Sequence, residues 1–213
     1  MLTILDYEAG NKTSVKRALD ALHIPCQISR DPAVLSASLG IIFPGVGAAG
    51  QAMRMLQASG LDLLLKNLIA SGKPLMGICL GCQILLEHSQ ENDTDLLSVL
   101  PGQVVRFQPN QLLENGTRRA IPHMGFNSLS LKQDCPLFKD IPEEASYYFV
   151  HSYYTKPNPD LIIALTSYGE EFCSVFGRDG LWGIQFHPEK SGRPGLKILE
   201  NFYHYCQEQS HAM

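Results

Sequence analysis

The order of elements in the first half constrains this chain more than any other feature. Residues 2–6 read as a short buried strand, and Val15, Ala18, Leu19 and Leu22 then recur at the i, i+3, i+4, i+7 spacing of an amphipathic helix. Strands over 24–28 and 39–43 follow, the second stopped by Pro44-Gly45-Val46-Gly47, and helical patterns run over 49–58 and 61–70, with Gly72 as a C-cap signal. A further buried strand over 74–78 enters Cys79-Leu80-Gly81-Cys82-Gln83, which opens a run of good helix formers to Glu87. Strands alternating with helices pair in parallel and carry helices on both faces, so an α/β sheet is expected.

Beyond Pro101 the pattern changes to short strand-like runs over 103–107, 128–131, 147–154, 161–166, 172–176 and 181–186, separated by turn residues. These predict an antiparallel or mixed extension of the sheet. A helix over 196–206 and a loose tail over 207–213 close the chain. With no long linker, repeat or low-complexity tract, one domain over 1–213 is expected.

A net charge of −4 over 213 residues offers no basic face for nucleic acid or a membrane surface. No apolar run approaches the ~18 residues of a spanning helix. Asp6 interrupts the apolar start before the roughly 7–15 residues that a signal peptide needs. A cytoplasmic protein is expected, and its six cysteines then read mostly as small buried hydrophobes rather than disulfide partners.

One of the six stands apart. Gly77-Ile78-Cys79-Leu80-Gly81 has the form G-x-nucleophile-x-G between a buried strand and a helix, the setting of a nucleophile elbow with sulfur in place of a serine oxygen. Such a turn crowds neighbouring backbones, which favours glycine on either side. It also places the sulfur at a helix N-terminus, where unpaired N–H groups favour thiolate, and leaves the Leu80 N–H near any oxyanion that forms. The plainer reading is a structural cysteine among small packing residues. Cys79 and Cys82 also form C-x-x-C, so thiol redox chemistry stays open on spacing alone.

A base is available far along the chain. His187 and Glu189 stand two residues apart after a strand, so in extended backbone they share a side, and a carboxylate there can hold an imidazole in one tautomer. Alone, the pair reads first as a solvated surface contact; with an elbow cysteine it becomes a Cys-His-Glu constellation. Pro44-Gly45-Val46-Gly47 follows a strand expected to end at the same sheet edge as Cys79, so its N–H groups could complete an oxyanion hole, or it is a plain turn. His151 competes as a base, whereas His23, His88, His204 and His211 read as packed or solvated. No H-E-x-x-H or paired-cysteine zinc spacing occurs, and neither a metal nor another cofactor is expected.

Together, Gly77–Gly81, His187-Pro188-Glu189 and Pro44–Gly47 resemble the class I, triad-type glutamine amidotransferases. Asp6-Tyr7-Glu8-Ala9-Gly10-Asn11, His123-Met124-Gly125-Phe126-Asn127 and Tyr148-Phe149-Val150-His151-Ser152-Tyr153-Tyr154 are similar to segments of one branch, the glutaminase subunits of imidazole glycerol phosphate synthase. The resemblance implies a flavodoxin-like, mostly parallel sheet. It implies Cys79 as nucleophile, His187 as acid and base, Glu189 as orienter, and oxyanion donors at Leu80 and the Val46-Gly47 peptide. Glutamine contacts are implied at Gln83, Glu91, Ser152 and Tyr153, and a partner face at Asn11, Phe126 and Lys190. The implied partner is a TIM-barrel cyclase subunit of the HisF type. Three positions depart from the branch pattern: Glu8 stands for a glycine, which disfavours positive φ there, Phe126 for tryptophan and Cys82 for methionine. Glutaminases of anthranilate or pyridoxal phosphate synthesis, and a non-catalytic module on the same fold, are the competing readings.

Overall fold

A computed structural model describes residues 1–8, 10–109, 111–113 and 116–212, with side chains described through Ser210. Ala9 of the first turn and the His211 side chain therefore lie outside the described residues. The first half runs β1 (Leu2–Leu5), α1 (Lys12–Ala21), β2 (Cys26–Ser29), α2 (Pro32–Ala37), β3 (Gly40–Gly45), α3 (Ala49–Ser59), α4 (Leu61–Ala70), β4 (Leu75–Cys79) and α5 (Leu80–Ile84). The second half is β5 (His88–Ser89), β6 (Thr94–Asp95), β7 (Gly102–Arg106), β8 (His123–Ser128), β9 (Ser130–Leu131), β10 (Ser146–His151), β11 (Tyr153–Pro157), β12 (Ile162–Ser167), β13 (Glu171–Arg178), β14 (Leu181–Ile184) and α6 (Gly192–Ala212).

β2, β1, β3, β4 and β14 lie side by side and parallel. β13, β11 and β7 then extend the sheet antiparallel, which is the expected mixed extension. Successive strand residues face opposite layers. Ile42 and Met76 join α1 and α6 through Val15, Leu19, Ile198 and Phe202, while Ile41 and Leu75 join α3 and α4 through Leu56 and Leu65. Both faces of the parallel strands are thus covered, which explains why they read as unbroken apolar runs. No helix among the described residues is long and apolar enough to cross a membrane.

Several boundaries differ from expectation for local reasons. α2, absent from the expected elements, begins with Pro32 in its first turn, and the Asp31 side chain accepts from the Ala33 N–H at 2.8 Å. The single strand expected over 147–154 breaks at Ser152, sending β10 to pair with β8 and β11 to the main sheet. The helix after Cys79 stops at Ile84 because the chain turns into β5, and in place of the expected tail α6 continues to Ala212. Glu8 adopts φ +70 despite its side chain, with its N–H on the Asp6 carboxylate at 3.1 Å and its own carboxylate paired with Arg30 at 2.7 Å.

Glycines let the elbow pack. Gly45 lies opposite Cys79 in the β3–β4 register. A Cβ on Gly81 would come within 1.9 Å of the Phe43 carbonyl oxygen, and one on Gly45 within 2.3 Å of the Gly81 nitrogen. Both obstacles are backbone, so neither yields cheaply. Gly81→Ala should therefore lower stability by about 3 kcal/mol or more, at the upper end of overpacking penalties. Chemical denaturation checks this, and a midpoint equal to the parent's would contradict the close approach.

Candidate active site

The carboxyl ends of β3, β4 and β14 meet at one edge of the sheet, and Cys79 sits where β4 turns into α5. Its backbone is at φ +55, ψ −113, a conformation that L residues seldom adopt, and its side chain is largely buried. Chain reversal inside so few residues requires that dihedral, and it aims the sulfur into a cavity of about 370 Å³. Val46, Gly47, Leu80, Gln83, Glu91, Ser152, Tyr153 and His187 line the same cavity with Cys79. Of the residues singled out from the sequence, the structure brings these nine to one place.

His187 is 1% exposed, and its Nδ1 lies 2.9 Å from Glu189 Oε1. The contact does not arise from strand alternation. β14 ends at Ile184, and Pro188–Lys190 is a single 3₁₀ turn that folds the carboxylate back onto the ring. The other ring nitrogen, Nε2, is buried with no hydrogen-bond partner among the described residues, and His187 lines the same cavity as Cys79. Burial disfavours the imidazolium, but the Cys79 sulfur and the Glu189 carboxylate outweigh it and raise the His187 pKa to about 10.

The loop over 46–48 joins β3 to α3, so Pro44 and Gly45 belong to the strand and only Val46 and Gly47 overhang the cavity. Gly47 takes φ +93, and Val46 is exposed. Glu91 accepts from the Ala49 N–H at 2.7 Å, placing a carboxylate on the first turn of α3, where the helix dipole favours it. Gln83 donates its amide to the Tyr153 carbonyl and to Gln185 Oε1, both at 3.0 Å.

Gln185 is a site residue that the sequence reading does not single out. Its amide nitrogen lies 3.8 Å from the Cys79 sulfur, so one side chain bridges the sulfur and Gln83. Its position two residues before His187 is the one signal for it in the sequence. The partner-face residues divide. Phe126 is exposed beside Tyr148, with ring centroids 5.6 Å apart, and the Lys190 ammonium lies 5.8 Å from the same Tyr148 ring. Asn11 turns inward instead and donates to Glu189 Oε1 at 3.2 Å.

His151 also borders the cavity, but its ring is committed. Its Nδ1 donates to the Tyr153 carbonyl at 2.8 Å, leaving Nε2 to accept from His123 Nδ1 at 3.1 Å. Burial lowers the His151 pKa to about 3 and the His123 pKa to about 4. A neutral ring with both nitrogens engaged is poorly suited to act as the base, which favours His187. Cys82 is fully buried, and burial raises its pKa well above the usual thiol value, unlike an exposed redox partner.

The model of the glutamine amidotransferase class-I family matches residues 3–206. The chain is 62% identical to a Maridesulfovibrio salexigens protein named imidazole glycerol phosphate synthase subunit HisH, covering 100% of both chains. It is 43% identical to a Listeria monocytogenes protein of the same name, over 95% of this chain and 94% of that one. Among solved structures, one described as a glutamine amidotransferase superposes with a TM-score of 0.71 at 19% identity, over 94% of this chain and 98% of that one. That similarity concerns the fold alone.

The histidine pair makes acid stability predictable. Both folded pKa values lie below the unfolded value near 6.5, so the folded state binds fewer protons. Their contribution is complete above pH ~6.5 and is lost as pH falls toward the folded values, with a slope approaching about 1.4 kcal/mol per pH unit for each ring. Urea unfolding between pH 7 and 5 measures it. A free energy flat across that window would contradict two buried neutral rings.

Proposed function

The chain belongs to the class I glutamine amidotransferase family, and on that premise we propose that it is the glutaminase subunit of an imidazole glycerol phosphate synthase. The observation that carries the proposal is the buried His187–Glu189 contact facing the same cavity as Cys79, which sits at a positive-φ elbow. Full-length identity to proteins named as HisH subunits supports the choice of synthase and implies a partner subunit.

In this reading, glutamine enters with its carboxamide over Cys79 and its charged end toward Gln83, Glu91, Ser152 and Tyr153. The thiolate attacks the amide carbon, and the Leu80 N–H with the Val46-Gly47 peptide stabilises the oxyanion. Protonated His187 gives its proton to the departing nitrogen, leaving a γ-glutamyl thioester and ammonia. The neutral imidazole then takes a proton from water, whose oxygen attacks the thioester, restoring the thiolate and imidazolium and releasing the γ-carboxylic acid, which gives its proton to solvent to become glutamate. Glu189 keeps Nδ1 occupied, so the working nitrogen is Nε2 throughout. No step requires a metal or cofactor.

Released into water, ammonia would become ammonium and lose its nucleophilicity, so it needs a sheltered passage to an acceptor. The partner in this proposal is a HisF-type TIM-barrel cyclase subunit, which uses the ammonia to make imidazole glycerol phosphate and aminoimidazole carboxamide ribotide for histidine. Exposed Met124 and Phe126 with Lys190 supply an apolar and cationic face for it. The chain acts as one domain in the cytoplasm.

Cys79→Ala should leave the fold intact and abolish glutamine hydrolysis, and His187→Ala should lower kcat by about 10²–10⁴-fold. Both are read by glutamate release with the cyclase and its nucleotide present. Turnover by the Cys79 variant at the parent rate would sink the nucleophile assignment. Cyclase co-purification checks the partner, and retrieval of a different synthase subunit instead would redirect it.

A further inference from the structure

Asn11 occupies the N-cap position of α1, where asparagine ordinarily accepts a backbone N–H from the first turn. Here the side chain makes no capping bond. Its Nδ2–H reaches instead to Glu189 Oε1 at 3.2 Å, from the opposite end of the sequence. The same oxygen accepts from His187 Nδ1 at 2.9 Å. Glu189 Oε2 is buried with no partner among the described residues. The carboxylate is therefore held through one oxygen, by His187 and by Asn11.

A carboxylate gripped at one oxygen by a single donor can pivot about its last side-chain bond. The Glu189 side chain is fully buried, so a carboxylate that swung off the ring would leave His187 Nδ1 without its acceptor and gain no solvent in exchange. A second, differently directed donor opposes the swing. Asn11 suits the task because its turn is firmly seated. A Cβ on the preceding Gly10 would come within 2.6 Å of the Pro44 carbonyl oxygen, and Lys12 pairs with Asp6 across the turn.

We propose that Asn11 is a positioning residue of the glutaminase site, whose amide fixes the Glu189 carboxylate against His187. The inference rests on the glutaminase reading and extends it. It gives the turn between β1 and α1 a part in the chemistry of residues contributed by the far end of the chain. Asn11 need not touch glutamine, so its loss should alter turnover rather than substrate binding.

The test is a double-mutant cycle in the full chain, assayed at saturating cyclase and nucleotide. Asn11→Ala should lower kcat about tenfold, equivalent to about 1.4 kcal/mol, with KM for glutamine little changed. Asn11→Asp keeps the size and N-cap preference but turns the donor into a second carboxylate, and should lose more. In a Glu189→Ala background, Asn11→Ala should have almost no further effect, because nothing remains for the amide to hold. The rate of Cys79 alkylation by iodoacetamide in the isolated chain, read by mass at that residue, should follow the same order. Parent-like kcat in both Asn11 variants, or losses that multiply in the Glu189→Ala background, would overturn the proposal. If the parent chain shows no glutaminase activity, the functional reading fails instead, and the alkylation cycle still decides the role of Asn11.

Discussion

A single left-handed residue, Cys79 at φ +55, is the constraint on which the site depends. A side chain in that region costs of order 1–3 kcal/mol, and it persists only where the surroundings allow no alternative. They do so here because β3 and β4 run in register, with Gly45 beside Cys79, and because Gly81 approaches the Phe43 carbonyl too closely for any Cβ. Relaxing the elbow would mean separating two central parallel strands. The strain thus sits at the place best braced by the sheet, and the sulfur leaves the strand end already aimed at the cavity.

Electrostatics at this edge show how partners outweigh burial. His151 and His187 are both buried histidines bordering the same cavity, yet their pKa values move to about 3 and about 10. Desolvation acts against the charged ring in both. Among the described residues the His151 ring nitrogens meet a carbonyl oxygen and a second histidine, neither of which holds a full negative charge, so desolvation prevails and the nearby His187 adds to it. His187 lies between a carboxylate and a sulfur able to ionise, and attraction across a low-dielectric site reverses the sign. One ring supports the wall, through Tyr153 and Gln83, and the other is able to move protons.

The parallel half of the molecule is legible in the sequence because both faces of its strands are covered, leaving continuous apolar runs punctuated by helical spacing. The second half is less so. The change of direction at Ser152 separates β10 from β11, although every neighbouring residue has the composition of a strand, since local propensity carries no information about which sheet a strand joins. The final helix reaches Ala212 through residues polar enough to read as a tail, and α5 stops early because β5 needs the residues that follow. Glu8 takes a positive φ that its type disfavours, with hydrogen bonds and an ion pair available to hold it.

By itself, the sequence determined the strand–helix alternation, the elbow with its glycines, and the set of side chains able to perform the chemistry, because these follow from local sterics and residue type. Only the tertiary structure decided how those side chains meet. Glu189 reaches His187 through a tight turn rather than an extended strand, Gln185 joins the sulfur, and Asn11 faces inward to the carboxylate instead of outward to solvent. Each of these contacts spans distant segments or depends on a turn's dihedrals. Spacing along a chain cannot specify them until the sheet's register has brought the segments together.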